Sequence, residues 1–195
     1  YLNINSSEIQ VLTPMRKYEV GVENMNLKLQ ELLNPSKKGK PEKEKNNIIF
    51  RQGDKVMQIK NNYDLQFKKD NGEYGSGVFN GDVGFITEID LRGGILKVRF
   101  DDKEATYFSE DLGQLELAYA VTVHKSQGSE YPIVIIPITS SFPPMLLTRN
   151  LIYTAITRAE KLVILLGERE AFFKMIDNDV QFKRNTMLVR LLEEE

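Results

Sequence analysis

Two changes of pattern along the chain, near residues 48 and 117, constrain its fold more than any other feature. Between them, short apolar runs alternate with clusters of Gly, Asn, Asp and Ser, which is typical of a small antiparallel β-barrel of about five strands. Because this pattern begins and ends inside the chain, we expect 48–116 to be inserted between two parts of another domain. The predicted division is therefore 1–47, 48–116 and 117–195.

The flanking parts carry the signals of a parallel sheet covered by helices. Residues 8–12 are β-prone, and helical spacing over 20–33 ends at Asn34-Pro35, because proline disfavours helical geometry in the residue before it. Further strand patterns occupy 117–123, 133–136 and 162–166, and further helical patterns occupy 148–159, 168–177 and 180–192. Continuous apolar runs of this kind are typical of strands buried on both faces, so we predict an α/β fold.

Composition excludes several classes of function. The chain has no cysteine and a single histidine, His124, which excludes thiol chemistry and any site built from several histidines. The net charge is −2, and residues 52–113 hold eight Lys or Arg against twelve Asp or Glu, so no surface that is basic overall is expected. No apolar run approaches the ~18 residues of a membrane span. Because the chain starts at Tyr1, we expect it to be a piece of a longer protein.

A lysine-rich stretch at 36–47 has no apolar residue. This composition favours a solvated loop, which could be disordered. A loop that contacts DNA is the alternative.

The strongest chemical signal is the segment T-V-H-K-S-Q-G-S-E-Y, which lies between a predicted strand and a buried strand. Thr122, His124 and Ser126 offer small donors to a nucleic-acid backbone. Gly128 lets the main chain approach a phosphate, and Glu130 can accept a hydrogen bond from a ribose hydroxyl. The alternative is a buried histidine with satisfied hydrogen bonds in an otherwise polar turn.

Two further segments place cations next to strands. Arg158 ends a mostly apolar helix just before a buried strand, where its planar fork suits a phosphate group. The alternative is a structural ion pair with Glu160 or Glu168. In V-L-T-P-M-R-K, a strand is followed by the adjacent cations Arg16 and Lys17, for which functional and structural interpretations are equally open.

Together these segments resemble the motifs of superfamily 1 helicases. T-x-H-x-x-x-G-x-E followed by an aromatic residue resembles motif V, and Y-T-A-I-T-R-A resembles motif VI. The form H-K-S-Q-G-S-E-Y is similar to the RecD-like branch, and T-P-M-R-K resembles its motif IV region. That branch also carries a Src-homology-3-like barrel between motifs IV and V, so the resemblance covers nearly the whole chain.

The resemblance implies a second RecA-like motor domain, of the P-loop NTPase type but without the P-loop, interrupted by this barrel. It implies an ATP-dependent DNA helicase that couples hydrolysis to 5′-to-3′ translocation on single-stranded DNA and to duplex unwinding. We expect a cytoplasmic, nucleoid-associated protein of DNA repair and recombination. The alternatives are the helicase part of a conjugative relaxase and a non-catalytic DNA-binding or interaction module.

The resemblance also implies residue roles. Arg158 would be the arginine finger on the γ-phosphate of ATP. The other residues that would contact ATP are Gly128, Glu130, Gln127 and one motif IV cation, Arg16 or Lys17. The residues that would contact DNA are Thr122, His124, Ser126 and, by stacking on bases in the barrel, Tyr63, with Tyr74 and Phe79 as further candidates. For these three aromatic residues, packing in the barrel core is the alternative.

The expected cofactors are ATP and Mg²⁺. The sequence contains no Gly-x-x-x-x-Gly-Lys-Ser/Thr, and no acidic pair closes a buried strand, so the phosphate cradle and the Mg²⁺ ligands are expected elsewhere. In the family both lie in a first RecA-like domain, which is an expected partner, together with single-stranded DNA, strand junctions and subunits of a nuclease complex. No membrane partner is expected. We predict that the chain alone does not hydrolyse ATP.

Overall fold

The computed structural model describes residues 5–179, whose strands form one parallel sheet, one antiparallel sheet and one separate hairpin. The helices are Val22–Leu33 (α1), Arg149–Ile156 (α2) and Arg169–Asp177 (α3), with 3₁₀ turns at Ser6–Glu8, Asp111–Gln114 and Pro144–Leu146. The strands are Ile9–Thr13 (β1), Glu42–Lys45 (β2), Ile48–Arg51 (β3), Lys55–Gln58 (β4), Asn62–Lys69 (β5), Tyr74–Val78 (β6), Val83–Asp90 (β7), Ile95–Phe100 (β8), Lys103–Tyr107 (β9), Leu115–Leu117 (β10), Ala120–Thr122 (β11), Tyr131–Ile138 (β12) and Ala159–Gly167 (β13). Within 5–179, no helix is long and apolar enough to cross a membrane.

The parallel sheet has the order β11-β1-β12-β13. Its buried side chains, such as Leu12 of β1 and Val134 of β12, pack with residues of α2 and α3 in one apolar core. The α/β class predicted from the apolar runs is confirmed. Helix α2 begins after Thr148, whose hydroxyl accepts a hydrogen bond from the amide of Leu151, as expected of an N-cap.

The antiparallel sheet has seven strands in the order β10-β4-β7-β8-β9-β5-β6, whereas the sequence pattern predicted about five. One reason is that Gly75-Ser76-Gly77 has the composition of a turn but lies inside β6. Phe67 on the neighbouring strand lies across Gly75, where a Cβ atom would come within 2.6 Å of the ring. The glycine therefore serves close packing between strands and does not end one.

The single strand predicted at 117–123 is in fact two strands in two different sheets. Leu117 of β10 pairs with Val56 in the antiparallel sheet, and Ala120 of β11 pairs with Val11 in the parallel sheet. The buried side chain of Gln10 stabilises the change of direction, because its amide group donates to the carbonyls at 118 and 119, each at 3.1 Å. An unbroken apolar run gives no local sign of such a change.

Part of the lysine-rich stretch forms a hairpin, so the loop prediction was wrong for these residues. Strand β2 pairs with β3 through a two-residue turn at Asn46 and Asn47, both of which have positive φ (52° and 63°). Asparagine tolerates this backbone region, and Phe50 of β3 is fully buried and anchors the hairpin. The helix predicted over 180–192 lies outside the described residues.

Candidate functional site

The predicted site residues lie at two opposite edges of the parallel sheet. Because all four strands run in the same direction, the loops that follow them gather at one edge, and the residues that precede them gather at the other. Thr122 ends β11 and Arg16 follows β1, so both lie at the carboxyl edge. Glu130 and Arg158 immediately precede β12 and β13, so both lie at the amino edge.

At the amino edge, Arg158 is held by uncharged groups. Its Nε donates to the carbonyl of Thr154 at 3.3 Å, and its Nη1 donates to the carbonyl of Ser129 at 3.3 Å. The main-chain carbonyl of Arg158 accepts from the amide of Tyr131 at 2.9 Å. These bonds join the end of the motif VI helix to the end of the motif V loop.

No carboxylate within residues 5–179 forms an ion pair with Arg158. Glu168, one of the two suggested partners, instead accepts from the hydroxyl of Thr139 at 2.7 Å and from the amide of Ser140 at 3.2 Å. The structural ion pair considered from the sequence is therefore absent from this part of the chain. A half-buried guanidinium without a counter-charge is suited to an anionic ligand.

Three further residues expected to contact ATP belong to the same loop. Gln127, Gly128 and Glu130 are exposed, and the last two lie close in sequence to Ser129, which contacts Arg158. Gly128 has φ of +86°, a conformation that disfavours other residues, and no atom lies within 4 Å of the position of a Cβ. The main chain is thus open to a ligand at this point.

At the carboxyl edge, the beginning of the same loop is a compact turn. The hydroxyl of Thr122 accepts from the amide of Lys125 at 3.1 Å, and the side chain of His124 is exposed. The interpretation of His124 as a buried histidine is therefore wrong. Ser126 was expected to contact DNA, but it is fully buried and its hydroxyl donates to the carbonyl of Val123 at 2.8 Å, so it stabilises the turn.

Arg16 and Lys17, expected to contact ATP, are not brought together with Arg158. Along the direction of the strands, Arg158 lies about seven residues closer to the amino edge than Thr13. This is a separation of roughly 23 Å. Both cations follow Thr13 and therefore lie at the carboxyl edge, away from Arg158. Arg16 lines a small cavity together with Thr122, and the amide of Val123 donates to the carbonyl of Thr13 at 3.0 Å.

Two charged residues of the carboxyl edge were missed by the sequence interpretation. Glu116 of β10 accepts a hydrogen bond from Arg16 at 2.8 Å and another from Lys125 at 3.4 Å. Burial acts to raise the pKa of Glu116. The hydrogen bond from Arg16 and the charge of Lys125 outweigh this effect, so the pKa of Glu116 is lowered. The available signals were the cation inside H-K-S-Q-G and the single acid in Leu115-Glu-Leu117.

The three barrel aromatics considered for stacking on bases are exposed, so packing in the barrel core is the wrong interpretation for them. Tyr63 is 66% exposed and meets Phe79 edge to face, with 5.5 Å between ring centroids. Lys103 lies 5.9 Å from the ring of Phe79, and Lys68 lies 5.7 Å from that of Tyr74. All three rings are thus available to a ligand, and Tyr74 and Phe79 each have a cation beside them.

The residues at the amino edge fit part of a nucleotide site but do not fit a metal ion. Arg158, Glu130 and Gly128 offer a cation, an acceptor and an open main chain, which suit a phosphate and a ribose. Across the described part of the chain, no three or more His, Cys, Asp or Glu side chains are arranged so that they could hold a metal ion. We therefore assign no step to Mg²⁺ through these residues.

Comparison with known families finds separate matches for two parts of the chain. Residues 25–100 match the SH3 domain of ATP-dependent RecD-like DNA helicases, and residues 117–166 match the C-terminal domain of UvrD-like helicases. The Pif1 helicase of Bacteroides bound to single-stranded DNA has a similar fold, with a TM-score of 0.55 at 17% identity over 98% of this chain and 45% of that one. Pif1 of Candida albicans gives 0.54 at 15% identity over 100% and 51%. The fold and the two family matches thus define the second domain of a helicase, with an SH3-type domain within it.

Sequence relatives narrow this class. The ATP-dependent RecD2 DNA helicase of Deinococcus radiodurans is 38% identical over 84% of this chain and 21% of its own length. The RecD subunit of the RecBCD enzyme of Haemophilus influenzae is 27% identical over 99% of this chain and 26% of its own length. The chain belongs to the RecD-like branch of the superfamily 1 helicases. It spans only about a fifth to a quarter of the length of these two relatives.

Proposed function

We propose that this chain forms one wall of the ATP site and part of the DNA track of an ATP-dependent DNA helicase. The observation that carries the proposal is the guanidinium of Arg158, which lies at the amino edge without a carboxylate partner in residues 5–179. An arginine presented in this way stabilises the charge that develops on a transferred phosphoryl group. Gly128 and Glu130 would contact a phosphate and the ribose, with Gln127 close to the nucleotide.

Single-stranded DNA is assigned to the opposite edge of the sheet. Thr122 and the exposed His124 would contact its backbone. Arg16 and Lys17 would also contact DNA, a change of role supported by the strand registers, which separate them from Arg158. One loop, 123–130, therefore connects the DNA contacts to the nucleotide contacts. A change at Gly128 on hydrolysis can move His124 through this short connection, which is how we propose that hydrolysis advances the DNA.

Further parts of the proposal are based on the similarity of this chain to RecD-like helicases. They comprise 5′-to-3′ translocation, Mg²⁺ bound by a first RecA-like domain, contact of Tyr63 with the incoming strand, and a role on nucleoid DNA. The division into 1–47, 48–116 and 117–195 is likewise proposed. Without the phosphate cradle, the isolated chain is expected to show no ATP turnover above a buffer blank, and DNA-stimulated turnover by the isolated chain would contradict this.

The decisive experiment compares Arg158→Ala with the wild type in the full-length helicase that contains this chain. We expect DNA-stimulated ATP hydrolysis to fall by roughly 10³-fold or more while affinity for single-stranded DNA is retained. The matched control is Lys161→Ala, because Lys161 is an exposed cation in β13, three residues beyond Arg158. Unchanged hydrolysis in Arg158→Ala, or equal losses in both variants, would exclude the arginine-finger role.

A further inference from the structure

One carboxylate bridges two cations at the carboxyl edge of the parallel sheet. Oε1 of Glu116 lies 2.8 Å from Nη2 of Arg16, and Oε2 lies 3.4 Å from Nζ of Lys125. Arg16 has a second and longer contact with Glu23, at 3.6 Å. Because both oxygens of Glu116 are used, the two cations are held close to each other.

The three bridged residues come from three different parts of the fold. Glu116 lies in the middle of β10, which belongs to the barrel sheet, whereas Arg16 follows β1 and Lys125 lies in the loop after β11. The main-chain amide of Lys125 also donates a hydrogen bond to the hydroxyl of Thr122. The bridge therefore connects the barrel to both motif segments assigned to DNA.

The cations remain accessible although the carboxylate is mostly covered. The side chains of Arg16 and Lys125 are 48% and 31% exposed, and that of Glu116 is 23% exposed. Arg16 and Glu116 also line a cavity of about 300 Å³, whose other walls include Glu23 and the hairpin turn at Asn46 and Asn47. A phosphate group therefore has space to reach Arg16, and Lys125 is held by the other oxygen of the same carboxylate.

We propose that Glu116 is a positioning residue that acts as an internal competitor of the DNA phosphate for Arg16 and Lys125. It holds both cations in place when no phosphate is present, and a phosphodiester of single-stranded DNA displaces it from at least one of them. Because the carboxylate stays beside the site, it takes the cation back when the phosphate leaves. This inference rests on the proposed DNA edge.

The competition has a measurable electrostatic consequence. A cation already neutralised by Glu116 releases fewer counterions from DNA than a free cation does. Replacing the carboxylate by an amide of the same shape frees about one positive charge for the phosphate. Affinity for DNA should therefore become both higher and more dependent on salt, whereas a purely structural role of Glu116 predicts lower stability and an unchanged salt dependence.

The test is the salt dependence of binding to a single-stranded oligonucleotide by the full-length helicase, wild type and Glu116→Gln. We expect the slope of log K against log salt to steepen by about 0.7, the value for one additional phosphate contact on single-stranded DNA. At about 50 mM salt, binding should tighten about fivefold and dissociation should slow. Thermal unfolding of both proteins checks that the fold is retained.

Glu23→Gln is the matched control, because it removes the same charge next to Arg16 without contacting Lys125. In Glu23→Gln, the slope of log K against log salt should change by less than half of the change expected for Glu116→Gln. The inference fails if Glu116→Gln leaves the slope unchanged or if the two variants behave alike. If Glu116→Gln does not fold, Glu116→Asp serves instead, since its shorter side chain cannot reach both cations. The slope should then steepen less but in the same direction, and an unchanged slope would overturn the inference.

The same experiment distinguishes this inference from the proposed function. If His124→Ala weakens DNA binding while Glu116→Gln has no effect, the DNA edge stands and the competitor role is wrong. If neither Thr122→Ala nor His124→Ala weakens binding, the DNA edge itself is wrong, whatever Glu116 does.

Discussion

The hydroxyl of Tyr119 donates a 2.9 Å hydrogen bond to the carboxylate of Asp54. The bond links the residue before β11 of the parallel sheet to the residue before β4 of the antiparallel sheet. Asp54 is fully buried and also accepts from Gln30 and Asn34, each at 2.6 Å, and from the amide of Arg51 at 2.7 Å. Burial and the Asp54 carboxylate raise the pKa of Tyr119. These four donors to one buried carboxylate hold the start of the antiparallel sheet against helix α1 and the segment that leads to the parallel sheet.

Tyr119→Phe should lower the free energy of unfolding by about 1.5–3 kcal/mol, the range for a hydrogen bond to a charged group. The loss arises because the ring is retained while Asp54 loses a donor in a site that water does not reach. Urea unfolding measures the change. Tyr153→Phe is the control, since Tyr153 is exposed and should show almost no effect. Equal effects in both variants would show that the Asp54 contact does not stabilise the junction.

Lys55 makes the stability of the same junction depend on pH. The residue is 5% exposed, its Nζ donates to the carbonyls of Ser7 and Ile9 at 3.3 and 3.1 Å, and burial lowers its pKa to about 8 from 10.5. Between these two pKa values the unfolded chain binds more protons than the folded one. Stability should therefore rise with pH across this window, by roughly 2 kcal/mol from about pH 7.5 to about pH 9.5.

Lys55→Met should remove this rise, because a neutral side chain has no charge to desolvate. Urea unfolding at the two pH values, for wild type and variant, gives the comparison. The control Lys60→Met removes an exposed lysine and should keep the rise. A wild-type protein that is equally stable at both pH values would contradict the prediction, as would a rise that survives in Lys55→Met.

The loop that carries Arg16 and Lys17 should respond in opposite directions to two substitutions. A Cβ at Gly21 would lie 2.0 Å from the carbonyl oxygen of Lys17, so Gly21→Ala should lower stability by about 3 kcal/mol or more. Tyr18 has φ of +75° and is 78% exposed, so Tyr18→Gly should raise stability by about 0.5–1 kcal/mol. Thermal unfolding of both variants tests the pair, and a stabilising Gly21→Ala would contradict the observed loop geometry.

His124 and Ser126 lie two residues apart and should separate DNA affinity from stability. His124→Ala removes an exposed side chain at the carboxyl edge, so affinity for single-stranded DNA should fall about fivefold with the melting temperature unchanged. Ser126→Ala leaves the carbonyl of Val123 without its donor, so stability should fall by about 1–3 kcal/mol with DNA affinity retained. Loss of affinity in Ser126→Ala at a temperature where it is folded would restore its direct role.

Elements set by local pattern could be predicted from the sequence. Helix α1 was predicted from its 3.6-residue apolar spacing and its proline stop, but Leu32 of the expected buried stripe is 75% exposed. The apolar runs predicted β12 and β13, but β13 was expected to be buried and Leu166 is 64% exposed. The split at Leu117 and Ala120 could not be predicted, because it depends on partners at Val56 and Val11 that are distant in sequence. Pairing with strands that are distant in sequence does not change the hydrophobic pattern of residues 117–123.

The same limit applies to the candidate site. The motif segments predicted roles for Arg158, Gly128 and Glu130 from residue type and order. The structure places Arg158 and Glu130 at one edge, with Gly128 in the loop that leads to Glu130. The contact between Arg16 and Glu116 spans 100 residues and lies at the other edge, so spacing within a motif carried no information about it. Ser126 was misassigned because a short polar side chain in a turn is equally suited to solvent and to a main-chain carbonyl.

The parallel pairing of β1 with β11 has a consequence for folding kinetics. Val11 and Ala120 are neighbours in the sheet, although the whole barrel separates them along the chain. Closing so long a loop directly is slow. However, the amide of Ala118 bonds the carbonyl of Lys55, so a folded barrel already holds its entry and exit side by side. We therefore expect the barrel to fold first and to act as the nucleus on which the parallel sheet closes.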